Sequence, residues 1–344
     1  MEGLHMTRPS KRVSQFSLQI ILAMLLLLCG ILFYVHSNAT ANSLLVSHAN
    51  KVDIIKTNQS NTPTIGSFKF GMYIDNPYVF KDEKKIDYKL NLVGWFVHWN
   101  ENMESNKLKN TCAAGYVPAI TWESWVAKNG VAGSKDILSE INKGKYDQKI
   151  INDINSIKKN CPNQTVLIRF DHEMDSEPGT KLEDKYYPWQ GNPKQYIEAW
   201  RRIVKIGHSK NSNIKWIWSP NRGNDFAKQY YPGDQFVDYV GITLNNRRLN
   251  GGGYSNFKSF YEPNQEVLES YNKPIIITET SDTGTAIASD KADWVNGMFD
   301  YINSNPKITA IVWFNNIKIL RYDTSNESVQ AFKDNLNKLE QLNR

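Results

Sequence analysis

From Ser67 onward, short apolar runs alternate with amphipathic segments. The runs are "SFKFGMYI", "LNLVGWFVHW", "AGYVPAITWE", "QTVLIRFDHE", "NIKWIWSPN", "FVDYVGITLN", "KPIIITETS" and "ITAIVWFN". Between or after them lie "DQKIINDINSIKKN", "NPKQYIEAWRRIVKIGHSK", "NQEVLESYN", "DKADWVNGMFDYINSN" and "NESVQAFKDNLNKLEQLNR". Apolar residues recur there at three- and four-residue spacing, as on one face of a helix. Strands apolar on both faces suit a parallel sheet covered by helices. Eight strand–helix units in about 280 residues predict an α/β fold of the (β/α)8, or TIM, barrel type. An open doubly wound sheet would show fewer strands and a glycine-rich phosphate turn, and the chain has no such turn.

Before the barrel the pattern changes twice. "RPSKR" precedes an unbroken apolar run, "LQIILAMLLLLCGILFYV", from Leu18 to Val35. That length suits a bilayer-spanning helix whose basic side stays in the cytoplasm. A cleaved secretory signal is the alternative, since Ala39-Thr40-Ala41 fits a processing site. Residues 36–66 are rich in Asn, Ser and Thr and read as a linker. The expected organisation is therefore an anchor or signal segment at 1–35, a linker at 36–66 and a catalytic domain at 67–344. The protein is expected at the cell membrane with its barrel outside, or else secreted.

Net charge is +6, of which Arg8, Lys11, Arg12 and Glu2 near the N-terminus contribute +2. The rest is mildly basic without a dense Lys/Arg block, so no nucleic-acid partner is expected. The 10 Trp, 17 Tyr and 14 Phe suit either a filled core or a sugar-stacking cleft, and composition does not choose. Cys29 lies in the apolar run. Cys112 and Cys161 precede the third and fourth strands, neighbours in a barrel, so either a disulfide at the bottom face or two free thiols fits. The six histidines show no metal-ligand spacing, and no cofactor is expected.

Barrel enzymes carry their reactive groups at the C-terminal ends of strands. The third run ends on Trp122 and Glu123, the fourth on "RFDHE", the fifth on Asn221, the seventh on Glu279 and the eighth on Trp313. Glu173 and Glu279, at the ends of strands four and seven, would face each other across the mouth. Such a pair can flank a glycosidic bond, one protonating the leaving oxygen and the other attacking the anomeric carbon. A lone Glu would more often cap a loop or pair with an Arg; two at these ends favour chemistry.

The motifs "IRFDHEMD", "YYPWQGNPKQYIEAWRRI", "KWIWSPN", "YYPGDQFVDYVGI", "KPIIITETS" and "AIVWFN" resemble glycoside hydrolase family 26, retaining barrel glycanases best known as endo-β-1,4-mannanases. "PAITWES" and "INKGKYDQKI" fit as well, so the resemblance runs from about residue 67 to about residue 320, over several ordered motifs. It implies Glu173 as acid/base and Glu279 as nucleophile. It implies His172 in the subsite of the reacting sugar, and Trp313 as the ring on which that sugar stacks. Arg169 and Asn221 match positions supporting the carboxylates. Trp189, Trp122 and Glu123 are expected to line the cleft.

Two features depart from the mannanase pattern. Strand six reads "GITLNN", placing Asn245 where mannanases carry a tyrosine bonded to the nucleophile; Tyr254 is a candidate substitute. "SEPGTKLEDK" also lengthens the loop after "HEMD". The implied function is an endo-acting retaining β-glycanase, monomeric, acting on a β-1,4-linked polysaccharide of mannan or β-glucan type. A mixed-linkage β-1,3-1,4-glucanase trimming its own cell's exopolysaccharide is the first alternative, since no carbohydrate-binding module follows the barrel. An inactive glycan-binding surface protein is the second.

Overall fold

Eight parallel strands close into a barrel in the order of the chain, each bonded to its sequence neighbours and β8 to β1. They are β1 (Lys69–Tyr73), β2 (Leu92–His98), β3 (Val117–Glu123), β4 (Val166–Phe170), β5 (Ile214–Trp218), β6 (Tyr239–Asn246), β7 (Ile275–Asp282) and β8 (Ile308–Trp313). Each coincides with the run that predicted it, β6 and β7 extending one residue beyond theirs. The computed structural model of the chain describes residues 68–74, 80–125, 136–175, 187–210, 213–247, 255–284, 287 and 289–342. The chain divides into residues 1–61 and 62–344, and all described residues belong to the second unit. The expected anchor, the linker, the loop 176–185 and Tyr254 lie outside the described residues. Among those described, no helix is long and apolar enough to cross a membrane.

The helices follow their apolar spacing. Helix Asp147–Asn160 buries Ile150, Ile154 and Ile157. Helix Pro193–Ser209 buries Tyr196, Ala199, Trp200, Ile203, Val204 and Gly207, one stripe at three- and four-residue steps. Asn192 caps it, its side chain accepting from Gln195 N at 3.1 Å, with Pro193 at the first helical position. Losing that cap would cost about 1 kcal/mol. Helix Phe257–Ser270 begins earlier than "NQEVLESYN" suggested, because Asn256 caps it from outside, accepting from Ser259 N at 2.9 Å.

Strand side chains divide between two interiors. One set packs with the helices in the large core. The other is made almost wholly of strand residues and fills the barrel: Leu92, Ala119, Leu167, Ile217, Ile276 and Ala310 in one cluster, Tyr73, Val312 and Phe314 in the next. At Gly241 an added Cβ would lie 2.7 Å from Thr278 Cγ2 and 2.9 Å from Ser219 Cβ, so only glycine admits the close approach of β5, β6 and β7 there.

Cys112, on helix Ser105–Ala113, is bonded to Cys161, which follows helix Asp147–Asn160; their Cα atoms are 5.6 Å apart. With the partners 49 positions apart in sequence, loop-closure entropy gives such a bond roughly 4 kcal/mol.

Candidate active site

Strand alternation sets which residues reach the barrel mouth. Along β4, Arg169 points inward and is buried. Its Nε donates to Thr121 Oγ1 at 3.0 Å, Nη1 to Thr278 Oγ1 at 3.1 Å, and Nη2 to the Tyr73 hydroxyl at 3.1 Å and to Glu279 Oε1. A buried guanidinium needs this degree of satisfaction. Tyr73 in turn shares a 2.7 Å hydrogen bond with Thr121, and burial pushes its phenol up to about 12, so it stays neutral.

Thr278 and Glu279 are adjacent, yet both meet Arg169. A regular strand would send them to opposite faces. The pairing of β6 with β7 slips here: Ile242 stands opposite Ile277, but Thr243 opposite Glu279. Thr278 is the extra residue, and the bulge turns Glu279 to the inner face. Beyond it, Asn245 Nδ2 donates to Glu279 Oε2 at 3.4 Å, and Ser281 Oγ donates to Asn245 Oδ1 at 2.6 Å. The serine thus orients the Asn245 amide towards the carboxylate.

On the β4 side the chain makes a strained turn. Asp171 has φ +41° and Glu173 φ +53°, both in the left-handed region. Every carbonyl of the triplet is held. Tyr196 Oη donates to Asp171 O at 3.1 Å, Trp189 Nε1 to His172 O at 2.7 Å, and Gln190 Nε2 to Glu173 O at 2.8 Å. Glu173 N donates to Ser219 O at 2.9 Å. The Asp171 carboxylate accepts from Ser124 N and Ser124 Oγ, both at 2.7 Å, tying the ends of β3 and β4 together. Burial nevertheless raises its pKa well above the usual range, against those two hydrogen bonds.

One oxygen of Glu173, one of Glu279 and one imidazole nitrogen of His172 all lie within 4.8 Å of one another. Burial, then the negative charge of Glu279, lift the Glu173 carboxyl to about 7, with Arg169 and Thr243 pulling the other way. Burial and the Arg169 charge hold His172 well below its ordinary value, so the imidazole is neutral. The three donors are spaced for a cation, but Arg169 already occupies Glu279 and Glu173 resists ionisation, so the set is poorly suited to a divalent metal. What the pair can do is deliver a proton from one carboxyl while the other offers a charged oxygen.

The predicted residues divide. Glu173, Glu279, His172, Arg169, Asn245 and Glu123 come together at the mouth. Three tryptophans do not line it. Trp313 is fully buried on the outer face of β8, between inward-facing Val312 and Phe314; its Nε1 donates to Leu320 O at 3.0 Å and its ring meets Phe332 at 4.9 Å. Trp122 likewise faces the helices, packed on Trp99 and Phe170. Trp189 is fully buried behind His172, stacked on Tyr187 at 4.5 Å. Asn221 sits on the turn after β5, its N–H donating to Asp175 Oδ1 at 2.6 Å, so it braces the turn below Glu173 through the main chain. The ring facing inward at the end of β8 is Phe314, grouped with Tyr73 and Phe96 at 5.6 and 6.3 Å. Counting alternation forward from Ala310 would have found it. Nothing local in the sequence marks the bulge at Thr278.

The model of glycosyl hydrolase family 26 matches residues 79–279. Over 270 residues the chain is 27% identical to endoglucanase H of Acetivibrio thermocellus, covering 72% of this chain and 27% of that one. Over 146 residues it is 27% identical to a mannan endo-1,4-β-mannosidase of Bacillus subtilis, covering 39% of this chain and 35% of that one. The chain thus spans only about a quarter to a third of the length of the curated relatives it matches. Solved structures share the fold: mannanase man26 of Bacillus subtilis (TM-score 0.54, 16% identity, 80% of this chain and 88% of that one) and a modular endo-β-1,4-mannanase of Cellulomonas fimi (TM-score 0.58, 16% identity, 79% and 71%). With the family model matched from before β2 into β7, this chain belongs to glycosyl hydrolase family 26.

Proposed function

We propose that the chain is an endo-acting, retaining β-glycanase, with Glu173 as acid/base and Glu279 as nucleophile. The observation that carries this reading is the closeness of the two carboxyl groups, one oxygen of each lying within 4.8 Å of the other. Retaining enzymes hold the pair at about 5–5.5 Å, whereas inverting ones need about 6.5–9.5 Å to admit a water. Glu279 attacks the anomeric carbon as the glycosidic C–O bond breaks, and Glu173 gives its proton to the departing oxygen. Glu173 then takes a proton from water, which enters on the face the glycosidic oxygen left and displaces Glu279 from the opposite face; two inversions retain the β configuration.

Two observations favour a β-glucan over mannan. The match to an endoglucanase spans 270 residues, while those to mannanases span 143 and 146 at similar identity. Asn245, not a tyrosine, also meets Glu279 from β6. The test is product formation from mixed-linkage glucan, β-1,4-glucan derivatives, mannan and xylan, with NMR of the first-formed anomer. Oligosaccharides in the β form, strongest from glucans, are expected. Glu279→Ala should lower the rate by at least about 10⁴-fold while the chain stays folded. Full activity in that variant, or an α-anomeric product, would overturn the assignment. Glycan binding without product would favour the inactive surface protein.

A further inference from the structure

The end of β3 carries a buried carboxylate that the chemistry above does not use. Glu123 is 4% exposed. Its Oε2 lies 2.7 Å from His98 Nδ1, at the end of β2, and its Oε1 lies 3.5 Å from His172 Nδ1. We infer that Glu123, backed by His98, is a positioning residue that fixes the tautomer of His172, keeping the proton on Nδ1 and presenting Nε2 to the cleft as a hydrogen-bond acceptor for a sugar hydroxyl.

A neutral imidazole carries one N–H, and the partner of one nitrogen decides the role of the other. His172 is neutral because it is buried beside Arg169. Its ring cannot swing away: Trp189 holds its carbonyl, and Tyr187, Trp189 and Phe96 surround the ring at 5.2, 6.0 and 6.1 Å. With the ring fixed, only the proton is left to place. A carboxylate accepts and does not donate, so Glu123 Oε1, 3.5 Å away and outside normal hydrogen-bond geometry, favours the proton on Nδ1 through its charge. Nε2 is left with a lone pair on the far side of the ring.

His98 explains how a carboxylate can stay buried there. A lone buried charge is costly, and a partner charge offsets it. The hydrogen bond to Glu123 leads the influences that raise the His98 pKa, and Glu101 adds to it. Half-buried His98 is thereby biased towards its charged form at the rim, while the other oxygen of Glu123 stays available to His172. The order is His98, Glu123, His172, then the cleft between Glu173 and Glu279. A sugar hydroxyl meeting His172 must then donate its hydrogen, which gives that hydroxyl's oxygen more electron density.

The identity of the hydroxyl rests on the glycanase reading, but the tautomer does not. The test uses the full chain labelled with ¹⁵N-histidine, with His172→Gln to assign its signals. In the unmodified chain near neutral pH, Nδ1 should be protonated and Nε2 unprotonated in long-range ¹H–¹⁵N spectra. Glu123→Gln offers an amide N–H to Nδ1 and should move the proton to Nε2. On mixed-linkage β-glucan the same variant should lose about 10- to 100-fold in kcat/KM, mainly through kcat, and Glu123→Asp should recover part of it. A merely structural Glu123 would change the melting temperature without moving the proton. An Nε2-protonated or charged His172 in the unmodified chain, or an unmoved proton in Glu123→Gln, overturns the inference. If no glycan is cleaved, the function proposal fails while the spectra still decide the tautomer.

Discussion

On the β4 side of the cleft the main chain is gripped and the carboxyl is left lightly held; on the β7 side the carboxyl itself is gripped. Around Glu173, four hydrogen bonds from Tyr196, Trp189, Gln190 and to Ser219 fix consecutive backbone groups through two left-handed residues. Around Glu279, Arg169 and Asn245 bind the two carboxylate oxygens, and a bulge aims the side chain. The difference matches what each proposed role requires. An acid/base must exchange a proton, so its position is set mainly through the backbone, and burial with the Glu279 charge outweighs the pull of Arg169 and Thr243. A nucleophile must stay charged, so it is given a cation and an amide.

The strongest way to break this contrast is to remove the cation. Arg169→Met keeps the length of the side chain but leaves Glu279 without its counter-charge in a buried site. Three polar partners, Thr121, Thr278 and Tyr73, lose their donor at the same time. Removing one member of a buried pair costs about 3–5 kcal/mol. A fall in melting temperature and a loss of kcat/KM on β-glucan of at least about 100-fold are expected, read by calorimetry and product release. A variant with near-normal values of both would show that the β7 side needs no such clamp.

A smaller, pH-dependent effect sharpens the β4 side. Glu173 titrates at about 7 in the folded protein against an ordinary value of 4.5. Between those values the unfolded chain has lost the proton and the folded one has kept it, so Glu173 favours unfolding increasingly as pH rises, reaching its full effect above about 7. Glu173→Gln removes that penalty. Its stability, read by thermal unfolding, should match the parent near pH 4 and exceed it at pH 8 by on the order of 1–3 kcal/mol. The activity of the parent should fall as pH rises through about 7, because the proton donor is then ionised. Equal melting temperatures at both pH values would mean that the β4 turn does not raise this carboxyl.

Much of this architecture was legible because it is local. Apolar runs bounded by polar breaks marked all eight strands, and helix Asp147–Asn160 coincides with its predicted segment. Glu173 and Glu279 were found because strand ends are where a barrel opens. What was not legible depends on partners distant in sequence. The bulge at Thr278 arises from how β7 pairs with β6, which no stretch of β7 alone encodes. The clamp on the Asp171-His172-Glu173 backbone comes from Trp189, Gln190 and Tyr196, so Trp189 was placed in the cleft when it stands behind it. Trp313 and Trp122 were misplaced by one residue of alternation, and one residue is enough to change faces.

That last correction yields the smallest and most discriminating expectation. If Trp313 stacked on a sugar, trimming its ring would weaken substrate binding. The structure instead has it on the outer wall, bonded to Leu320 O and packed against Phe332. Trp313→Phe should therefore cost about 1 kcal/mol or somewhat more, from the lost hydrogen bond and the smaller ring, and leave KM unchanged. Phe314→Ala removes the neighbouring ring that does face inward, beside Tyr73 and Phe96. It should raise KM several-fold, corresponding to about 1 kcal/mol of lost contact. Measured side by side on one β-glucan, both variants lose stability, Phe314→Ala the more because that ring is also buried, but only Phe314→Ala raises KM. The reverse outcome, with KM responding to Trp313 and not to Phe314, would mean that β8 presents its other face to the cleft.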